Sequence, residues 1–567
     1  MKSVFHGVIE EHLIFPYPEM SPEERENVTL ILDNVRKFAE SQVDSAKIDR
    51  EHTIPPELID AMKEMGLFGL SIPEAYGGIG LSASAYARVM QEVAALDPSL
   101  AVTIGAHQSI GCKGIILFGT EEQKKKYLPR LATGEIVAAF ALTEPGAGSD
   151  AASITTRAEL SDDGETYVLN GSKIWITNGG FADLFTVFAR TSAPDPAVKP
   201  RITALIVERG PGVTNGPSEE KMGIRGSSTT EVFFEDVRVP AQNVLGEAGR
   251  GFKVAMEILN SGRIGLAAGC LGACKKLTHL SVERVKERKA FGRAIGEFGM
   301  IKEKVARMAC ETYALESMTY LTTGLIDRGV PDYSLESAIC KVYGSETLWY
   351  VVNQTLQIAA GIGYMSHYPY ERMMRDARIN MIFEGTNEIL RAFIALSGMQ
   401  SPGKQLAEVA KAMREPIKGF GLLSEFAVRK ARSVIGRERL ERVHPVLSKE
   451  AVVFEEGVRD LAAGVERALR KHGRDIAEMQ LVQKRVAEAA IDLYAVAAVI
   501  SRTTRAIEHR GETGASREIA LCTGFVTLAE GRLRERLSGR MERDSDELLK
   551  EIAKQTYADG GYPFDVV

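Results

Sequence analysis

Glu384 stands in the run Phe383-Glu384-Gly385-Thr386-Asn387-Glu388-Ile389-Leu390-Arg391, a single carboxylate between an apolar stretch and a turn glycine. A carboxylate kept out of water is a stronger base than its solution value implies, and such a base can take a proton from a carbon next to a carbonyl. A glutamate before a glycine is by itself an ordinary surface residue, so its surroundings must decide. The run Phe140-Ala141-Leu142-Thr143-Glu144-Pro145-Gly146-Ala147-Gly148-Ser149-Asp150 ends a strand in a loop of small residues, whose N–H groups can approach an aromatic ring system or a phosphate. It has no GxGxxG and no dinucleotide βαβ pattern around it, which argues against a Rossmann site. Asn260-Ser261-Gly262-Arg263 opens a helix, and its arginine suits an anionic ligand as well as a surface salt bridge. Trp175 in Trp175-Ile176-Thr177 reads by itself as a buried aromatic.

The elements that must carry these residues follow from pattern and punctuation. At 567 residues the chain is too long for one core, and about three or four domains are expected. Residues 1–135 read as helical, with capping boxes expected at Ser21-Pro22-Glu23-Glu24 and Thr120-Glu121-Glu122-Gln123. From 136 to 250 short β-branched and aromatic runs take over, separated by turn signals such as Asp162-Asp163-Gly164 and Asn170-Gly171, and a small antiparallel barrel is expected. Helical spacing returns over 251–402, the block holding the candidate base, and Ser401-Pro402-Gly403 is read as a break before a further helical block, 403–567. The fold class is thus mainly α with a central small β-barrel and a C-terminal helical domain.

Bulk properties exclude some functions. Lys plus Arg number 70 against 76 Asp plus Glu, a net charge of -6, which gives no general attraction to nucleic acid. The six cysteines form no CxxC pair, and reduced, mostly buried thiols are expected. No apolar stretch of about 18 residues is read. Met1 to Met20 contains Glu10, Glu11 and Pro16 rather than a targeting pattern, so a cytoplasmic, prokaryotic protein is expected.

The run Met381-Ile382-Phe383-Glu384-Gly385-Thr386-Asn387-Glu388 resembles the catalytic segment of the acyl-CoA dehydrogenases, and the order of helical, β and helical blocks is that of the family. The fourth block is similar to that of very-long-chain members, through Ala490-Ile491-Asp492-Leu493-Tyr494-Ala495 and Ser501-Arg502-Thr503-Thr504-Arg505. The resemblance implies that Glu384 removes the α-proton of a long or very-long-chain acyl-CoA while FAD takes the β-hydride, giving the trans-2-enoyl-CoA of fatty acid β-oxidation. It implies FAD contacts at Phe140, Leu142, Thr143, Gly148 and Ser149, with Ser149 also touching the acyl-CoA, and at Trp175 and Thr177, Thr386 and Glu388. Asn260, Arg263 and Gly385 match substrate contacts, and Gly262 occupies the position from which some relatives supply the base, which leaves Glu384. Arg288 and Phe291, with Gln357 and Gly361, match FAD contacts made from a neighbouring subunit, with Ala360 where a second glycine is usual. A homodimer and electron-transferring flavoprotein as electron acceptor follow from the same resemblance. Ala101 and Gly105, four apart on one helix face, either form the closed end of the acyl tunnel or let two helices approach. An acyl-CoA oxidase and an assembly or scaffold protein on the same fold are the competing readings. Residues 418–442 carry seven cations against three carboxylates among Phe and Leu, read either as a solvated helix face or as a peripheral membrane contact at the inner face of the cell membrane.

Overall fold

The capping signals place the first long helices. Ser21 accepts the Glu24 N–H at 3.1 Å and opens α1 (Pro22–Gln42), with Pro22 where no N–H is needed. The Glu24 carboxylate does not complete a capping box; it accepts from the Ser82 N–H at 3.2 Å, at the start of α2 (Ala83–Leu96). The computed structural model describes residues 1–192, 201–414, 438–537, 541 and 543–565. They fall into two compact units, Tyr17–Asn387 and Met1–Pro16 with Glu388–Val567.

In the larger unit α2 is followed by α3 (Pro98–Phe118), which by length and composition is apolar enough to cross a membrane, contrary to the sequence reading. His107 and Gln108 break the run on paper but are fully buried, and 67% of its most apolar window lies inside the protein, as in a core helix. The Ala138 N–H donates to His107 Nδ1 at 3.0 Å, so Nε2 carries the proton toward the Phe68 and Leu131 carbonyls at 3.1 Å. Thr120 and Gln123 form the reciprocal capping box at the head of α4 (Glu121–Thr133).

Seven strands follow: β1 (Ala138–Ala141), β2 (Arg157–Leu160), β3 (Thr166–Thr177), β4 (Leu184–Thr191), β5 (Arg201–Glu208), β6 (Val213–Ser218) and β7 (Thr229–Pro240). Their order is β1-β4-β2-β3-β7-β6, with β5 also on β4. The expected small antiparallel barrel is instead a curled half-barrel, and its direction is mixed, since β1 and β2 both run parallel to β4. The Leu142–Thr156 loop carries the chain across before β2 begins, so β1 is not folded back as a hairpin. Asn170-Gly171, read as a turn, lies within β3 at a bulge, where Gly171 has φ 148° and a Cβ would meet Thr156 Oγ1 at 2.5 Å. β4 is buried on both faces: Phe185, Val187 and Ala189 pack inside the curl, and Leu184 and Phe188 against Ile115, Leu128 and Ile258.

Three long helices and a shorter one follow in this unit: α5 (Gly251–Glu287), α6 (Gly299–Asp327), α7 (Ser334–Ala359) and the short α8 (Pro369–Arg378). α9 (Asn387–Arg414) runs through Pro402, so the expected break at 401–403 is absent. One lost N–H bond is outweighed there by burial of Ile394, Ala395, Met399 and Pro402 along the helix. In the smaller unit α10 (Ser448–His472), α11 (Gln480–Gly514) and α12 (Ser516–Leu537) pack together, followed by α13 (Ser545–Ala558). The buried Asp492 accepts from Arg532 at 3.0 Å and from Arg536. Phe5 lies against Gly398, where a Cβ would stand 2.2 Å from its ring. Of the basic stretch 418–442, residues 418–437 lie outside the described residues; Arg442 donates to the Phe15 carbonyl at 2.9 Å.

Candidate active site

Two successive left-handed residues, Glu384 at φ 59° and Gly385 at φ 91°, turn the chain between α8 and α9. A non-glycine residue there costs about 1–2 kcal/mol and persists only where neighbours hold it. They do so through the two carbonyls: Arg263 Nε donates to the Glu384 carbonyl at 3.2 Å and Lys341 Nζ to the Gly385 carbonyl at 2.8 Å. Lys341, fully buried in α7, also donates to Asn387 Oδ1 at 2.8 Å, and Asn387 in turn donates to Ser345 at 3.0 Å and to Glu346 at 3.1 Å. Burial pushes the Lys341 ammonium down to about 8, so it still carries charge at neutral pH. Asn260 and Arg263 lie inside α5 rather than opening a helix as read from the sequence; Arg263 is also buried and its Nη1 donates to Asn260 Oδ1 at 3.2 Å.

The Glu384 side chain is freer than its backbone. Among the described residues Oε2 has no hydrogen-bond partner, and the Glu384 N–H donates to no described group. The carboxylate lies on Gly262 of α5, where a Cβ would stand 2.8 and 2.9 Å from its two oxygens. Burial pushes the Glu384 carboxyl up to about 7, with the Arg263 and Lys341 charges pulling the other way. What surface it keeps faces a cavity of about 210 Å³.

That cavity is walled by small residues. Gly262, Gly265, Gly269 and Ala273 recur every three or four residues on one face of α5, and Ala94, Ala101 and Gly105 line it from α2 and α3. A Cβ at Gly105 would have only the Met90 Cε within 4 Å, at 3.7 Å, so this glycine faces open space rather than a tight helix contact.

Thr177 connects the cavity to a second surface. Between Lys173 and Ile176 the β3–β7 register slips, and Trp175 takes φ 56° and stands 62% exposed. The Ile174 N–H donates to the Thr143 carbonyl at 2.9 Å, which ties this bulge to the loop 142–150. Beneath the loop Lys173 donates to the Leu142 carbonyl at 3.0 Å and to Glu144 at 2.7 Å, both side chains being buried. Burial works to raise the Glu144 carboxyl, but bonds from Lys173, Thr155 and Thr156 hold it down to about 2. Above, Gly146 and Gly148 face open space, with only Thr143 Cγ2 at 4.0 Å from a Cβ on Gly148, and Ser149 is exposed. Leu142 is buried, and Phe140 packs on Phe188 at 5.0 Å. An exposed indole beside a small-residue loop of free approach fits a flat ring system such as the flavin of FAD.

Glu384, Thr177, Ala101 and Gly105 therefore share one cavity, with Arg263, Asn260 and Gly385 around the base. Arg288, Phe291, Gln357 and Gly361 do not join it within one protomer. All four are exposed, and Arg288 ends α5, roughly 37 Å along the helix from Arg263 at 1.5 Å per residue. Phe291, 94% exposed at φ 52°, meets only Phe298 among described rings. Thr386 is half-buried beside Gly385 and Glu388 is exposed in the first turn of α9. Sequence reasoning missed Lys341 and the Lys173–Glu144 pair. A lysine inside the apolar run Ala338-Ile339-Cys340-Lys341-Val342 was the available signal. Among the described residues no group of His, Cys, Asp and Glu could hold a metal, and all six cysteines are free and buried.

On this helical and half-barrel fold, a carboxylate of raised basicity at the head of an apolar cavity has the chemistry to take a proton from carbon. Family models for the acyl-CoA dehydrogenase N-terminal, middle and C-terminal domains match residues 25–135, 139–237 and 249–399, and the ACAD9/ACADV C-terminal domain matches 445–562. The chain is 44% identical over 571 residues to a mitochondrial very long-chain specific acyl-CoA dehydrogenase of Homo sapiens, covering 98% of this chain and 87% of that protein. A crystal structure of an acyl-CoA dehydrogenase complexed with FAD from Bacillus anthracis superposes with a TM-score of 0.80 at 32% identity, covering 100% of this chain and 96% of that one. Butyryl-CoA dehydrogenase of Megasphaera elsdenii gives a TM-score of 0.63 at 39% identity, over 67% of this chain and 99% of its own. The chain belongs to the acyl-CoA dehydrogenase family.

Proposed function

We propose that this enzyme carries out the FAD-dependent α,β-dehydrogenation of long and very-long-chain acyl-CoA thioesters in fatty acid β-oxidation, giving trans-2-enoyl-CoA. The observation that carries this reading is the Glu384 carboxylate, raised to about 7 and with Oε2 unpartnered, at the head of a tunnel walled by glycine and alanine. The free Oε2 accepts the α-proton, and the Glu384 N–H donates to the thioester carbonyl as enolate character develops. Arg263 and Lys341 hold both groups in place by fixing the two carbonyls of the strained turn. FAD, when bound beside Trp175, Thr177 and the loop of Leu142, Thr143, Gly148 and Ser149, supplies the acceptor for the β-hydride. The small residues of the tunnel wall leave room for extended acyl chains.

Two copies of the chain complete the cofactor site in this reading, which is supported by the exposure of Arg288, Phe291, Gln357 and Gly361 in a single protomer. Electron-transferring flavoprotein is the proposed electron acceptor, and the proposed location is the cytoplasm with peripheral attachment to the inner face of the membrane. Anaerobic titration of the purified protein with palmitoyl-CoA tests the reaction. Bleaching of the flavin at one equivalent per site is expected; an unchanged visible spectrum would refute the proposal.

A further inference from the structure

The cavity that begins at Glu384 ends in charge. From Gly262 to Lys276 it follows one face of α5 for fourteen residues, about 21 Å at 1.5 Å per residue, with Gly265, Gly269 and Ala273 between. Lys276 is exposed, so this end opens to water, and Arg372 of α8 lines the same end with Pro369 and Met373. Their neighbours in sequence are committed: Lys275 pairs with Glu316, and Arg375 holds both oxygens of Asp49 at 2.7 and 2.9 Å. Lys276 and Arg372 are not. Among the described residues neither makes a hydrogen bond or an ion pair, although the charge of Arg372 is felt by Asp49 and Asp97.

The carboxylates that could answer them are occupied. Asp97 is buried and accepts the Ser99 and Leu100 N–H groups at 2.8 and 3.2 Å. Asp376 is the one carboxylate other than Glu384 in the cavity wall; it is buried and accepts the Ile224 N–H at 2.6 Å. Burial and its acidic neighbours push Asp376 up to about 7, which weakens any repulsion it offers an incoming anion. An apolar passage of defined length therefore joins a proton-abstracting carboxylate to two unpaired cations.

We infer that the far end of the tunnel is a subsite for an anionic chain terminus, so that the enzyme accepts long-chain ω-carboxyacyl-CoA thioesters, with Lys276 and Arg372 meeting the terminal carboxylate. This rests on the dehydrogenase reading above and specifies its substrate class. Length decides which of these thioesters fit. An extended chain advances roughly 1.3 Å per carbon, from C–C bonds of about 1.5 Å, so about 16 carbons span the distance. A hexadecanedioyl chain delivers its carboxylate to the cations. A decanedioyl chain, at roughly 13 Å, leaves it between Gly269 and Ala273, where an ionised group has lost water and gained no donor.

The test uses the FAD-loaded full chain with palmitoyl-, hexadecanedioyl-, decanoyl- and decanedioyl-CoA, measuring kcat/KM and, by calorimetry, dissociation constants. Hexadecanedioyl-CoA is expected within about tenfold of palmitoyl-CoA, and decanedioyl-CoA at least about 10²-fold below decanoyl-CoA. The double variant Lys276→Met, Arg372→Met should shift the ratio of hexadecanedioyl- to palmitoyl-CoA by at least about 30-fold toward palmitoyl-CoA, in both kcat/KM and affinity. Equal rejection of both diacid thioesters by the wild-type protein, an unchanged ratio in the variant, or loss of its FAD would each overturn the subsite. Should no thioester bleach the flavin, the dehydrogenase reading falls instead, and the dissociation constants still decide the subsite.

Discussion

Gly105 is where the tunnel can be shortened without disturbing its walls. On α5 a Cβ at Gly265 would meet Ser109 Oγ at 3.2 Å, and Gly105 lies one turn of α3 beyond Ser109, away from the base. One turn of each helix puts Gly105 roughly 10 Å from the level of Gly262, or about eight carbons into the tunnel at roughly 1.3 Å per carbon. With only Met90 Cε near its Cβ position, a leucine there projects into the cavity and displaces roughly four methylenes of a long chain. At about 0.8 kcal/mol each, the loss is about 3 kcal/mol, on the order of 10²-fold in kcat/KM. An octanoyl chain ends about where the new side chain begins and should change by less than about threefold. The assay is kcat/KM for octanoyl- to stearoyl-CoA on Gly105→Leu. A uniform loss across the series would mean disturbed packing, and the placement of Gly105 on the acyl path would have to be given up.

Glu384→Gln should slow flavin reduction by at least about 10³-fold with FAD retained, and near-normal stopped-flow reduction would place the base elsewhere. In the wild-type protein the rate should rise with pH and level off above about 7, because the carboxylate is the active form. Folded Glu384 keeps its proton up to about 7 while the ordinary value is 4.5, so the residue lowers stability as pH rises between the two. Glu384→Gln should therefore raise Tm at pH 8 relative to wild type and not at pH 4; a Tm lowered at pH 8 contradicts this. Gly262→Ala places a Cβ 2.8 Å from the carboxylate and, by moving the base about 1 Å, should cost on the order of 10² in reduction rate; unchanged reduction would refute the contact. Ala360 holds φ 57° and ψ -136°, a conformation that suits glycine, so Ala360→Gly should add about 1 kcal/mol of stability, and a lower Tm would count against that strain. Arg288→Ala should release FAD during gel filtration, and retention at full stoichiometry would remove Arg288 from the cofactor site.

Residues that act through the local chain were legible in the sequence. The caps at Ser21 and Thr120 depend on residues three positions away, whereas Glu384 and the loop of Gly146 and Gly148 were singled out by the family segments they resemble. What long-range packing decides was not. Asn170-Gly171 has the dipeptide of a turn, yet Asn170 accepts the Asp236 N–H at 2.9 Å from β7 and the pair becomes a bulge within one strand. Pro402 has the chemistry of a break, and burial of its helix face overrides it. The antiparallel barrel failed because strand direction depends on where a loop crosses, which alternation of residues does not encode. Lys341 escaped notice because its partners, the Gly385 carbonyl and the Asn387 side chain, lie more than forty residues away in sequence.

Cys270 lines the tunnel two percent exposed, and burial pushes its thiol up to about 12. At neutral pH it is almost wholly the thiol form, a poor nucleophile toward a dissolved reagent and toward an electrophile on the acyl chain alike. Burial thus lets a cysteine serve as plain apolar wall in the tunnel, where each enoyl thioester product of the proposed reaction is itself an electrophile that a thiolate at this place could trap.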